Sequence, residues 1–326
     1  MHKSITMLSV LGTLAGAPAA PAPATAQDWP QRTIKLVVGF GPGGGTDIVG
    51  RILAQSLQEK LGVSVVVENK AGAGGTLGAD SVARADRDGY TLYMMNNAHV
   101  INGVMNKSLP FDTLKSFDPV GQVATAGLII VARTDFPASN VKELIETAKA
   151  NPGKYTFASV GVGSTQHFTG ELFRQIAGVD MLHVPYRGSP AAIAALLGKQ
   201  VDVLFETVSA VLGQVQGNEL KALAVTGKDR FPAVPDVPTG LESGVLPGYE
   251  VMTWYGIIAP RGTPPAIVSK LNKTLNDIIA EPAVSERLTK AGVIARGSSP
   301  EEFGKHLESE FVRWNGVREA AKIPQQ

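Results

Sequence analysis

The chain has 326 residues, a formal net charge of +1 and no cysteine. The missing thiols exclude cysteine nucleophiles, disulfides and cysteine-ligated metals, and near-neutrality without a basic cluster argues against nucleic acid or an anionic membrane surface as partner. A chain this long exceeds what one hydrophobic core usually spans, so two lobes are expected.

The first residues read as a targeting segment. His2 and Lys3 form a short positive end, residues 5–17 are mostly apolar, and Ala24-Thr25-Ala26 offers an A-x-A cleavage site. The apolar run is too short and too rich in Pro and Ala for a membrane anchor. Residues 1–26 are therefore expected to be a Sec-type signal peptide, without a twin arginine. The mature chain would start at Gln27 in the periplasm.

Ile34-Lys35-Leu36-Val37-Val38 reads as a buried strand, followed by Gly39-Phe40-Gly41-Pro42-Gly43-Gly44-Gly45-Thr46-Asp47 and a helix whose apolar positions Val49, Ile52, Leu53, Leu57 and Leu61 stop at Gly62. Strand, glycine-rich turn and helix start together make an anion cradle. The turn exposes backbone N–H groups, and the helix N-terminus adds about half a positive charge. The simpler reading is a tight turn with Thr46 or Asp47 as N-cap. A second strand at 63–67, a second glycine-rich loop at 68–76, a helix at 77–85 and a third strand at 91–95 running into a polar turn at Asn96-Asn97 continue the pattern. This rhythm predicts parallel strands with helices on both faces and ligands at the strands' carboxyl ends.

Residues 121–132 read as a strand crossing between lobes. A helix at 141–150, a strand at 155–159 and the loop Gly161-Val162-Gly163-Ser164-Thr165-Gln166-His167 open a second set. Strands at 181–185, 201–205 and 220–225 follow. After a proline-rich segment at 231–247 come a strand at 252–259 and three helical stretches over 264–321. The chain thus passes twice between lobes, giving 28–127 with 249–326 as one lobe and 128–248 as the other.

The chemistry candidates point to binding. Gly39-x-Gly41-x-x-Gly44 has dinucleotide spacing with Glu68 at the next strand end, which keeps an exported nucleotide-dependent enzyme as a minor alternative. No Gly-Lys-Ser/Thr follows the glycines, and no Gly-x-Ser-x-Gly occurs. His99, His167, His183 and His306 show no paired ligand spacing, so no metal site is expected. Ser164 and His167, three residues apart at a helix start, suit shared ligand contact better than a nucleophile–base pair. Gly163, Ser164, Thr165 and His167 are therefore ligand-contact candidates. Arg187 reads as a structural salt bridge ahead of a partner for a second ligand charge, and Trp254 and Tyr255 as either core or ligand platform.

The run Val38-Gly39-Phe40-Gly41-Pro42-Gly43-Gly44-Gly45-Thr46-Asp47 resembles the first ligand loop of the tripartite tricarboxylate transporter substrate-binding proteins, the Bug family. Further similarities follow in order: Asn69-Lys70-Ala71-Gly72-Ala73-Gly74-Gly75, the 161–167 loop, His183-Val184-Pro185-Tyr186-Arg187-Gly188, Pro235-Asp236-Val237-Pro238-Thr239 and Ala259-Pro260-Arg261-Gly262-Thr263-Pro264. The resemblance implies an α/β, two-lobed periplasmic-binding-protein-like (type II) fold with a parallel-rich sheet in each lobe and a ligand cleft between. It implies a small carboxylate held by Phe40, Gly43, Gly44 and Thr46 on one lobe and Gly163, Ser164, Thr165 and His167 on the other. Asp47 would orient the first loop, and Ala98 and Thr207 would sit where family members vary with the ligand. A monomeric, non-catalytic binding protein without cofactor is implied, serving membrane permease subunits or a membrane sensor kinase. Gly39 and Gly41 stand where the family more often has proline or alanine, and Lys70-Ala71 replaces arginine-proline.

Overall fold

The computed structural model describes residues 29–320 and 323–325. The expected signal segment 1–26 and the start at Gln27 lie outside the described residues.

The first sheet grows around β1 (Ile34–Val38), which pairs in parallel with β2 (Val65–Asn69) and β3 (Thr91–Asn96). Helices α1 (Gly45–Leu61) and α2 (Thr76–Ala83) supply the crossovers. In α1 the buried residues Val49, Leu53 and Leu57 recur at four-residue spacing, and Gly62 ends the helix at φ 70° with its N–H on the Gln58 carbonyl. Asn96-Asn97 is not a simple turn. It opens α3 (Asn97–Met105), because the Asn96 side chain accepts the Ala98 N–H at 2.9 Å as an N-cap.

The 17-residue β4 (Phe117–Arg133) runs through both sheets. Its first part pairs antiparallel with β9 (Met252–Pro260) as far as Gly127 opposite Met252. From Leu128 opposite Thr207 it pairs antiparallel with β7 (Val203–Thr207), and its other edge takes β8 (Leu220–Val225). The second sheet continues from β7 to β5 (Thr156–Ser159) and β6 (Leu182–Pro185), both in parallel. Each sheet is thus mixed. A parallel trio carries the helix crossovers, and the antiparallel remainder comes from the strands that pass between sheets, since a returning strand must run opposite to the one that left. The short β10 (Ile294–Ala295) edges the first sheet against β4.

Helices α4 (Val141–Ala150), α5 (Thr165–Ala177), α6 (Ser189–Leu197) and α7 (Val208–Gln216) belong to the second set of strands. After β9 come α8 (Pro265–Ala280), α9 (Pro282–Lys290) and α10 (Pro300–Ala320). One apolar cluster is shared by both sheets, and α10 helps to seal it: Trp314 meets Phe168 of α5 edge-on with ring centres 5.9 Å apart. Beside it, buried Glu310 accepts both the Trp254 and the Trp314 indole N–H at 2.9 Å and the Asn97 amide at 3.2 Å. Trp254 and Tyr255 are both buried core residues. Among the described residues no helix is long and apolar enough to cross a membrane.

Candidate ligand-binding cleft

Residues 39–44 carry the chain from β1 into α1. Gly43 takes φ 84°, a conformation open to glycine, and Gly44 is the N-cap with no side-chain hydrogen bond. Neither Thr46 nor Asp47 caps the helix. Both lie inside its first turn, so that no side chain covers the leading N–H groups. Asp47 instead locks the loop: its Oδ2 accepts the Gly43 N–H and the Arg51 Nε–H, each at 2.9 Å. Asn69, at the end of β2, donates from Nδ2 to Asp47 Oδ1 and to the Phe40 carbonyl, again at 2.9 Å. Burial pushes the Asp47 carboxyl up, but the hydrogen bonds from Arg51, Gly43 and Asn69 outweigh it and hold the group below its ordinary range.

Residues 160–164 repeat the arrangement between β5 and α5. Gly163 takes φ 78°, and Ser164 is the N-cap, its Oγ accepting the His167 N–H at 3.2 Å and donating to the Gly161 carbonyl at 2.7 Å. His167 Nδ1 accepts the Gly163 N–H at 3.4 Å. Its ring stacks on His183, centres 4.2 Å apart, and the His183 Nε2 meets Ser159 Oγ at 2.7 Å. Burial pushes His167 down to about 4 and His183 to about 3, the neighbouring His167 and Arg174 adding to the latter shift. Both rings are neutral at pH 7, so the 3.9 Å approach of His167 to Glu171 is not an ion pair there.

The loops face each other across a cleft of 590 Å³ lined by Phe40 and Gly41, residues 71–76, Asn102, residues 160–163 and residues 185–188. That volume suits a small organic ligand, for which about 300–1,000 Å³ is usual. Asn102 of α3 bridges the walls: its Nδ2 donates to the Gly74 carbonyl at 2.8 Å, and a Cβ on Gly163 would lie 2.5 Å from its Oδ1. Behind the cleft lies an inner cavity of 20 Å³, room for about one water. Gly44, Gly45 and Thr46 wall it from one side, Gln166, Ser189 and Thr207 from the other, and it shares Phe40, Gly41, Val160 and Gly188 with the outer cleft. Neither space is lined by an aspartate, glutamate or lysine, and Arg187 is the one charged residue lining either.

The expected contact residues fall into two groups. Phe40, Gly44, Thr46, Gly163 and Thr207 line the cleft or the inner cavity. Gly43, Asp47, Ala98, Ser164, Thr165 and His167 line neither. Asp47, Ser164 and His167 are engaged in shaping the loops, Ala98 is held by its N-cap, and Gly43 faces Pro190 of α6. Thr165 is buried with its Oγ1 unpartnered. Arg187 makes no ion pair among the described residues, so the salt bridge expected for it is not formed.

Several neighbours were not legible in advance. Asn96 donates from Nδ2 to Thr46 Oγ1 at 2.9 Å. Glu206, fully buried at the end of β7, takes the Gln166 Nε2–H and the Thr207 N–H on Oε1, both at 2.7 Å, and leaves Oε2 unpartnered. Burial raises its carboxyl above the ordinary range, against the pull of those hydrogen bonds. A glutamate directly after the apolar run Val203-Leu204-Phe205 was the available signal.

Known proteins share this architecture. The family model "Tripartite tricarboxylate transporter family receptor" matches residues 49–322. The solved periplasmic binding protein BugD is 38% identical, with a TM-score of 0.87 over 91% of this chain and 100% of its own. An R. palustris protein solved with adipate is 33% identical, with a TM-score of 0.88 over 91% of this chain and 99% of its own. MatC from Rhodopseudomonas palustris, solved with malate, is 33% identical, with a TM-score of 0.83 over 89% and 99%. Family match and architecture together make this chain a solute-binding receptor, not an enzyme, and a member of the tripartite tricarboxylate transporter receptor family to which the Bug proteins belong.

Proposed function

We propose that this receptor captures a small carboxylate in the periplasm and presents it to the membrane subunits of a tripartite tricarboxylate-type permease. The observation that carries the proposal is the pairing of two glycine-rich loops, 39–44 and 160–163, that run into the helix starts at Gly44 and Ser164 from opposite sides of one cleft. Backbone N–H groups at such turns favour an anion. The adipate and malate in the two R. palustris structures support the ligand class.

In this reading the inner cavity opens to seat one carboxylate. Gly44, Thr46 and Thr207 contact it directly, Thr165 turns its free hydroxyl toward it, and Asp47 and His167 hold the loops in shape. The rigid units would be 28–127 with 249–326, and 128–248, closing on the ligand as a monomer. The test is a thermal-shift screen of the mature protein against mono-, di- and tricarboxylates, amino acids and aromatic acids. Ligand at one hundred times its Kd stabilises the folded state by about 2.7 kcal/mol. A screen in which no carboxylate raises the melting temperature overturns the proposal.

A further inference from the structure

We infer that Arg187 is a specificity-determining residue that reads a second anionic group on the ligand, so that the cleft selects molecules negatively charged at both ends. This rests on the carboxylate-binding reading above and deepens it.

Three observations converge. Arg187 lines the 590 Å³ cleft, where no other ionisable carboxylate or cation does. Its guanidinium has no hydrogen bond or ion pair among the described residues, whereas Arg51, Arg133, Arg174 and Arg261 each hold a carboxylate. Its backbone is fixed: the Tyr186 N–H donates to the Ser159 carbonyl at 2.9 Å, and Gly188, at φ 100°, starts α6. An exposed guanidinium anchored at its base and free at its tip presents its fork of donors to whatever occupies the outer cleft. The inner end offers only backbone N–H groups, hydroxyls and amides, which suit the first carboxylate. The two ends therefore present different chemistry to a ligand, and a chain too short or without a distal charge leaves Arg187 unused.

The test is calorimetric titration of matched pairs, adipate against hexanoate and succinate against butyrate, with wild type, Arg187→Gln and Arg187→Lys. Because the residue is solvent-exposed, the expected preference of wild type for the better-fitting dianion is modest, about tenfold. Arg187→Gln should remove that preference while leaving the monoanion's affinity unchanged, and Arg187→Lys should restore part of it. Added salt should erode the preference in wild type and not in Arg187→Gln. Equal binding of dianion and monoanion by wild type, or an undiminished preference in Arg187→Gln, overturns the role of Arg187 while leaving the carboxylate reading intact. If none of the four acids binds wild type and the wider screen is also blank, the carboxylate reading fails and this inference with it. A melting temperature for the free variant equal to wild type separates ligand effects from folding.

Discussion

Asp47 and His167 occupy equivalent places in the two ligand loops. Each stands four residues after a glycine of positive φ, Gly43 at 84° and Gly163 at 78°, and each accepts that glycine's N–H, at 2.9 and 3.4 Å. The intervening N-caps match as well, Gly44 at φ −84°, ψ 164° and Ser164 at φ −75°, ψ 158°. The same turn is thus built twice, once around a carboxylate and once around a neutral imidazole.

Removing the first lock has a direct cost. Asp47→Ala strands the Gly43 N–H and one Asn69 donor and frees Arg51, so it should lower stability by about 1–3 kcal/mol and weaken ligand binding. Asp47→Asn keeps an acceptor and should do less harm. Urea unfolding of both variants checks this, and an Asp47→Ala curve that overlays wild type would show that the loop holds its shape without the lock.

The second lock makes the protein sensitive to acid. His167 and His99 sit near 4 and His183 near 3 in the folded protein, each pushed down chiefly by burial from an ordinary 6.5. Below pH 6.5 the unfolded chain takes up protons that the folded chain refuses, so stability falls as pH drops from about 6.5 toward 4. The slope approaches about 1.4 kcal/mol per pH unit for each histidine. Asp47, lowered in the folded state from 3.8, adds to the loss only below that range. Urea midpoints measured from pH 7.5 to 4.5 should decline, and His183→Gln should flatten the decline.

Closure should be sensitive to a single methyl group. A Cβ on Gly45 would lie 2.5 Å from Tyr255 Oη, 2.8 Å from Thr207 Oγ1 and 2.9 Å from Ser209 Oγ, whereas one on Gly41 would meet nothing within 4 Å. Gly45→Ala should therefore prop the cleft open, enlarging the radius of gyration in solution scattering and weakening binding at least tenfold. Gly41→Ala, whose added methyl meets no protein atom, should leave the radius of gyration unchanged. A Gly45→Ala affinity equal to that of wild type would mean that the contacts around Gly45 are not part of the bound state.

Glu310 is the counterpart on the far side of the crossing strands. Glu310→Ala leaves two indole N–H groups and the Asn97 amide without their acceptor and should cost about 3 kcal/mol or more. Denaturant titration reads this directly, and Glu310→Gln should lose less.

Much of the framework was visible in residue patterns, because its signals are local. Alternation and β-branching marked Ile34–Val38, four-residue spacing marked α1, and Gly62 its end. Asn96-Asn97 was misjudged as a turn because an N-cap and a turn use the same residue type, and only the chain beyond decides between them. The glycine loops were legible as turns that lead from a strand into a helix start. Which of their side chains face the cleft was not, since Asp47, Ser164 and His167 turn back to brace backbone groups. The roles of Glu206 and Asn96 were hidden for a different reason: they come from partners on other elements, forty residues away for Gln166 and Glu206 and fifty for Thr46 and Asn96. The unpaired state of Arg187 has no sequence signature at all.

The passage of β4 through both sheets also decides which sheet can close from one continuous stretch of chain. Strands β4 to β8 form one uninterrupted stretch of chain, so the second sheet needs nothing from either terminus. The first sheet cannot finish until β9 arrives to lie between β3 and β4, with Tyr93 opposite Ile258 across about half of the sequence. Loop closure over such separations is slow, and until it occurs β1, β2 and β3 present an open edge. In any folding that proceeds from the amino terminus, those strands wait longest for their partner.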